Sequence, residues 1–242
     1  MERLNVLQTG QLTPEQAGVI SGAINSYIAK VGPEMLPKTP DQIMKQAQTG
    51  QSVVLVDGKN NVMFHATGYE NLNARHLDVL GFQVVEFGSW VAMVRGQRIG
   101  VTGAIELLNH SNEIFGDNAI FLATHKRINA LNISLHDLKF DQVLYEDFPY
   151  LAYLTCTCEN CSESFGFTTC PFRFKELNSR PDENGKIDCT LVISSVEKAR
   201  EFERRCREAS QKLGIEPLQP GERITTQRMQ IAKTLFDRIG GE

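Results

Sequence analysis

Between Val91 and Gly100 the chain reads Val91-Ala92-Met93-Val94-Arg95-Gly96-Gln97-Arg98-Ile99-Gly100, an apolar run that passes through a glycine-containing turn into a helical pattern. A helix starting there offers unpaired backbone N–H groups and the positive end of its dipole. Glycines let a pyrophosphate approach that backbone closely, and Arg95 and Arg98 add positive charge. The same pattern also serves as an ordinary strand-to-helix turn with exposed arginines. Upstream, Glu86 has Val84, Val85, Phe87 and Trp90 as near neighbours. Apolar surroundings disfavour the charged carboxylate and raise it toward the range of a general base. At a solvent-exposed strand start the same residue would have no such role. Ser89, on the opposite strand face, is placed to orient a water.

A second group of residues points to metal chemistry. Cys156, Cys158, Cys161 and Cys170 place four thiols within fifteen residues. Four thiolates close a tetrahedral zinc site with no open position, which makes such a site structural. Unliganded loop thiols, transient disulfides and an iron–sulfur cluster are the alternatives. The remaining two cysteines separate from this group. Cys189 alternates with Ile187, Leu191 and Ile193 on one strand face, and Cys206 lies on the stripe Val196, Ala199, Phe202, Ala209, Leu213, so both read as small core residues.

The elements that must position these groups are legible in outline. Thr13-Pro14-Glu15-Gln16 and Thr39-Pro40-Asp41-Gln42 each have the form of a capping box with proline at the first helical position. The first opens a helix with Ala17, Ile20 and Ile24 at helical spacing, and the second a short helix that ends near Gly50. Residues 52–56 and 62–69 read as a hairpin about the turn cluster Asp57-Gly58-Lys59-Asn60-Asn61. Residues 83–94 form a strand apolar on both faces, hence central. A helix over about 101–112, a buried strand at 119–123 and a helix over about 127–138 follow. Strands are expected near 142–145 and 150–155, and again at 187–193. Ser194-Ser195-Val196-Glu197 has the form of another capping box and opens a further helix that stops at Gly214, and the last helix runs from 225 to 239. The mixed order predicts an α/β (α+β) fold with a mixed, partly parallel sheet flanked by helices. The change in character after Thr155 places a domain boundary there: 1–155, then a small Cys-rich α+β extension, 156–242.

Composition sets outer limits. Of 242 residues, 41% are hydrophobic and 22% charged, which excludes a disordered or collagen-like chain. No apolar run approaches the ~18 residues of a membrane span. The start, Met1-Glu2-Arg3-Leu4-Asn5, lacks a basic stretch followed by an apolar one, so the expectation is a cytoplasmic protein. The net charge of -4 lies in residues 1–150, while 151–242 balance, so no basic surface argues for nucleic acid. Arg200, Arg204, Arg205 and Arg207 interleave with Glu197, Glu201, Glu203 and Glu208 and read as a solvated helix face with i,i+4 pairs.

Glu86-Phe87-Gly88-Ser89-Trp90-Val91 followed by Arg95-Gly96-Gln97-Arg98-Ile99-Gly100 resembles the core of the GNAT superfamily of N-acetyltransferases. That family has an Arg/Gln-x-x-Gly-x-Gly/Ala loop after its fourth strand. Arg95 and Gly100 match its ends, and Arg98 stands where its first glycine falls. The strand-to-loop spacing is about two residues shorter than usual. Asn129 to Phe140 is similar to the family's Asn-x-x-Ala/Ser-x-x-Leu-Tyr/His…Leu-Gly-Phe helix once one residue is deleted after Asp137, with Lys139 in place of the usual glycine.

The resemblance covers about residues 3–157. It implies an acyl-CoA-dependent N-acyltransferase, acetyl-CoA being the co-substrate and a small-molecule or peptide amine the acceptor. It implies that the amides of the 95–100 loop hold the pyrophosphate and that a backbone N–H near Val91 or Met93 polarises the thioester. Some members carry an acidic base on the strand of Glu86. Asn129 falls where the family contacts CoA, and His136 falls where a Tyr or His acts as acid. The rival reading is a CoA-binding or interaction module without turnover, whose Cys-rich segment recruits a partner. No membrane or nucleic-acid partner is expected, and a homodimer is left open.

Overall fold

The computed structural model describes residues 4–7, 10–31, 37–70, 80–94, 98–155, 181–183, 185–222 and 225–239. By internal packing the chain forms two compact units, Met1–Tyr69 with Phe87–Gly116, and Glu70–Glu86 with Asp117–Glu242.

In the first unit, strand β1 (Asn5–Val6) pairs antiparallel with β2 (Ser52–Val56), and β2 pairs antiparallel with β3 (Val62–Glu70). Strand β4 (Gln83–Ala92) comes next in the order and contributes its second half here. Both capping boxes form. The Gln16 amide donates to Thr13 Oγ1 at 3.2 Å while the Thr13 amide donates to Gln16 Oε1 at 3.0 Å, which starts α1 (Pro14–Val31). Thr39 and Gln42 repeat the exchange at 3.3 and 2.8 Å and start α2 (Pro40–Gln48). The apolar stripe Ala17, Ile20 and Ile24 of α1 meets Ile43 and Ala47 of α2 and Val54, Val56, Val62 and Val91 of the strands. Helix α3 (Ile99–Phe115) closes the unit. Gly103 lets α3 approach β3: a Cβ there would stand 2.3 Å from the Phe64 ring.

The second unit is built on the parallel pair formed by the first half of β4 and β5 (Ala119–Arg127), with Val84 opposite Ile120 and Glu86 opposite Leu122. A short helix α4 (Ile128–Asn132) runs on through a π-helical turn over Ile133–Asp137 to β6 (Asp141–Val143). Strand β7 (Lys186–Ile193) inserts between β5 and β6, antiparallel to both. The last two helices are α6 (Val196–Lys212) and α7 (Thr226–Ile239). Ser195 caps α6, accepting from the Lys198 amide at 3.2 Å. Phe202, Cys206, Leu235 and Phe236 pack with Val84, Leu122, Leu191 and Ile193 in this unit's core.

Three expectations change. Residues 150–155 belong to a helix, α5 (Pro149–Thr155), and not to a strand. Proline occupies the first position, where its missing N–H costs nothing. Glu203, from α6, accepts from the amides of Tyr150 and Leu151 at 2.9 Å each and stands in for a local cap. Glu203 is also not part of the solvated face of α6, since it is 2% exposed. The pairing on that face does form: Arg204 bonds Glu201 and Glu208, and Arg205 bonds Glu201 at 2.8 Å. Lastly, the packing divides the chain elsewhere than at 155. Residues beyond that point supply β7 to the sheet and half of one core.

Candidate active site

The phosphate-loop segment belongs to the first unit. Arg95, Gly96 and Gln97 lie outside the described residues; Arg98, Ile99 and Gly100 form the start of α3. Arg98 sits at the N-cap with φ 56° and ψ 22° and makes no side-chain cap bond. The first intrahelical bond there runs from the Thr102 amide to the Arg98 carbonyl at 2.9 Å. The amides of Ile99, Gly100 and Val101 precede it in the first turn, where a helix start leaves its N–H groups without intrahelical partners. An uncapped helix start preceded by a central strand is the local geometry that suits a phosphate.

Arg98 and Lys139 both occupy positions where the resemblance calls for glycine. Both hold the left-handed backbone that glycine favours, Arg98 at φ 56° and Lys139 at φ 61°. Lys139 secures its own turn, its Nζ donating to the His136 carbonyl at 2.6 Å.

Of the two expected backbone donors on β4, the Met93 amide is committed, donating to the Met63 carbonyl at 2.9 Å. That corrects the expectation for Met93, because an amide already bonded in the sheet is not available to a thioester oxygen. Val91 is buried in the first unit's core through its side chain. Trp90 meets Phe64 edge to face with centroids 6.3 Å apart, which ties this half of β4 to β3. Tyr69 lies against Gly88, where a Cβ would stand 3.1 Å from its ring. Ser89 lies in β4, three residues after Glu86.

Glu86 belongs to the second unit. The residue is half-buried, and no hydrogen bond or ion pair reaches its carboxyl among the described residues. Protein surrounds the carboxyl closely enough that burial pushes it up to about 7. A carboxyl without partners, poised near neutrality on a central strand, can take a proton from an ammonium and return it to solvent.

Asn129 and His136 are both exposed, the first on α4 and the second on the π-helical turn that follows. That turn is anchored by a contact absent from the sequence reading. His125, 6% exposed on β5, places Nε2 2.8 Å from the Ser134 hydroxyl. Burial lowers His125 to about 4, so the ring is neutral at physiological pH. The signal was present in the sequence only as a histidine within an apolar run. Its partner nine residues on becomes a neighbour only when the turn folds back on the strand. Cys206 is buried in the core as expected, and Cys189 is half-buried on β7. Cys156, Cys158, Cys161 and Cys170 lie outside the described residues. Among the described residues no group of three or more His, Cys, Asp or Glu is placed to hold a metal ion, and no helix is long and apolar enough to cross a membrane.

No family model and no curated protein matches the sequence. Solved structures do resemble the fold. A protein of Acinetobacter baylyi ADP1 assigned as an acetyltransferase aligns with a TM-score of 0.50 at 10% identity, over 81% of this chain and 94% of that one. A ribosomal-protein-alanine N-acetyltransferase of Brucella melitensis aligns at 0.45 and 16% identity, over 78% and 96%. A Salmonella typhimurium protein assigned as an acetyltransferase, solved with acetyl-CoA, aligns at 0.47 and 13%, over 78% and 91%. At such identities the likeness speaks for the fold alone. The mixed, partly parallel sheet with its β5-β7-β6 edge and flanking helices is the GNAT acyl-CoA N-acyltransferase fold.

Proposed function

We propose that this protein is an acyl-CoA-dependent N-acyltransferase that passes an acyl group, acetyl in the simplest case, directly from the thioester to a small-molecule or peptide amine. The observation that carries the reading is Glu86, a half-buried carboxyl without a partner among the described residues, held at about 7 on the strand that leads to α3. The uncapped start of α3 supports it as the seat of the pyrophosphate, on the amides of Ile99 and Gly100. In this reading the ionised Glu86 takes a proton from the incoming ammonium. The free amine attacks the thioester carbonyl, whose oxygen is polarised by a backbone N–H of β4. As the carbonyl reforms, the C–S bond breaks, the nitrogen gives up its second proton to solvent, and the thiolate takes a proton, for which exposed His136 is the candidate. Asn129 contacts the CoA side. Alignment of the two reactants supplies much of the rate, because the step needs no covalent enzyme intermediate.

Titration with acetyl-CoA of the wild type and of Gly100→Glu tests this. A carboxylate at the helix start blocks the backbone and repels phosphate. Micromolar binding by the wild type and none by the variant is the expected outcome; equal binding removes the reading. The four clustered cysteines, Cys156, Cys158, Cys161 and Cys170, we assign on spacing alone to one structural zinc. Elemental analysis of protein purified without chelator checks it, with Cys161→Ser expected to lower the zinc content.

A further inference from the structure

The second unit contains a cavity of about 570 Å³, bounded by β6, the turn from Leu144 to Phe148, the side of α6 that carries Val196, Arg200, Glu203 and Arg207, and Pro220. None of the residues assigned above to acyl transfer lines it. Its volume is within the range of small-molecule sites. Glu203 forms part of the wall and is 2% exposed. Its Oε1 serves the α5 amides, but its Oε2 is buried without a hydrogen-bond partner among the described residues. A buried polar oxygen left over in this way calls for a partner that the described residues do not supply. Arg207 and Arg200 also line the cavity, each one helical turn from the same carboxyl along α6, and neither forms an ion pair among the described residues. The remaining wall is largely apolar, with Val143, Leu144, Phe148 and Val196.

We propose that this cavity is a binding site for a small organic acid, its carboxylate held by Arg207 and Arg200 and by the free oxygen of Glu203, and its apolar body packed on the β6 wall. The three polar groups ask for the same ligand chemistry. Two guanidiniums offer donors in a fixed fork that suits a carboxylate. Burial pushes Glu203 up to about 8, so at neutral pH its carboxyl keeps a proton, and the orphan oxygen is a donor that seeks an acceptor. Asp147 also lines the cavity but is exposed, where its charge is solvated. The apolar wall distinguishes an organic acid from inorganic phosphate, which would gain nothing from Val143 or Phe148.

Calorimetric titration of the full chain with acetate, butyrate and phenylpropionate, with the matching neutral amides and with inorganic phosphate, tests the site. Affinity should rise with the length of the apolar body, the amides should not bind, and Arg207→Gln should weaken phenylpropionate by at least about tenfold, the worth of a charge-assisted bond. Arg200→Gln, a change at an exposed helix position, provides a second variant that leaves folding untouched and should weaken binding in the same direction. Acetyl-CoA affinity, measured alongside, should stay unchanged in both. Absence of binding by any acid, equal binding by acids and amides, binding by phosphate alone, or acid binding unaltered in both arginine variants would each overturn the assignment. Loss of acetyl-CoA affinity in Arg207→Gln would overturn it too, by showing that the cavity belongs to the CoA site.

Discussion

Glu86 owes its chemistry to its surroundings. An ordinary glutamate is ionised far below neutrality; here burial without a compensating partner brings it to about 7. Ionised Glu86 is the working base, so the rate of acyl transfer is expected to rise with pH through about 7. Glu86→Gln should abolish that rising limb and lower turnover by ~10²-fold or more, the usual worth of a general base, while leaving acetyl-CoA affinity in place. A pH–rate profile with a competent amine checks this, and an unshifted profile in the variant would assign the proton to another group. Arg98 shows the converse case, a backbone conformation that the side chain does not want. Holding a non-glycine residue in the left-handed region costs roughly 1–2 kcal/mol, part of which glycine gives back as extra freedom in the unfolded chain. Arg98→Gly is therefore expected to raise stability by about 0.5–1 kcal/mol in denaturant unfolding and to retain acetyl-CoA binding. A loss of stability would show that the arginine side chain contributes more than its backbone costs.

At the level of elements, the local starts were legible and the local ends less so. Thr13 and Thr39 cap helices where their spacing placed them, because a cap is a bond between residues three apart; at α6 the cap falls one residue later than the Ser194–Glu197 box, on Ser195, because the Ser194 hydroxyl accepts from the Phe121 amide. Residues 150–155 misled because their cap comes from Glu203, more than fifty residues away. The π-helical turn after α4 was likewise not foreseeable; it is held by the buried pair of His125 and Ser134. Ser134→Ala leaves the His125 nitrogen without that partner and is expected to cost about 1–3 kcal/mol of stability. The pair also gives a sign to the acid response. His125 is lowered from an ordinary 6.5 to about 4 in the folded chain, so the unfolded state binds the proton more readily. Its contribution is complete above about 6.5 and is lost as pH falls toward 4. Unfolding midpoints measured across that window should fall less steeply in His125→Gln than in the wild type, and parallel curves would exclude His125 as the source.

For the molecule as a whole, the decisive element is β7. It bonds β5 along one side and β6 along the other, with Leu122 opposite Ile193 and Val143 opposite Leu191. Leu191, Ile193, Phe202, Cys206 and Leu235 then complete a core that includes Val84, Ile120 and Tyr150. Removing everything after residue 155 strips the inner edge of β5 and half of that core. A 1–155 fragment is expected to lose cooperative unfolding and the hydrogen-exchange protection of β5 amides. A fragment that keeps both would restore a domain boundary near 155.

The strand and helix pattern, the capping boxes, the central strand and the candidate base at Glu86 were all present in the order of residues, since each depends on neighbours within a turn or on alternation along a strand. What the order of residues could not convey was the insertion of β7 between β5 and β6, the burial of Glu203 on a helix that looked solvated, and the partner of His125. Each of these depends on groups far apart in the chain. The free energy that selects them comes from apolar area and hydrogen bonds that exist only after the layers close on one another.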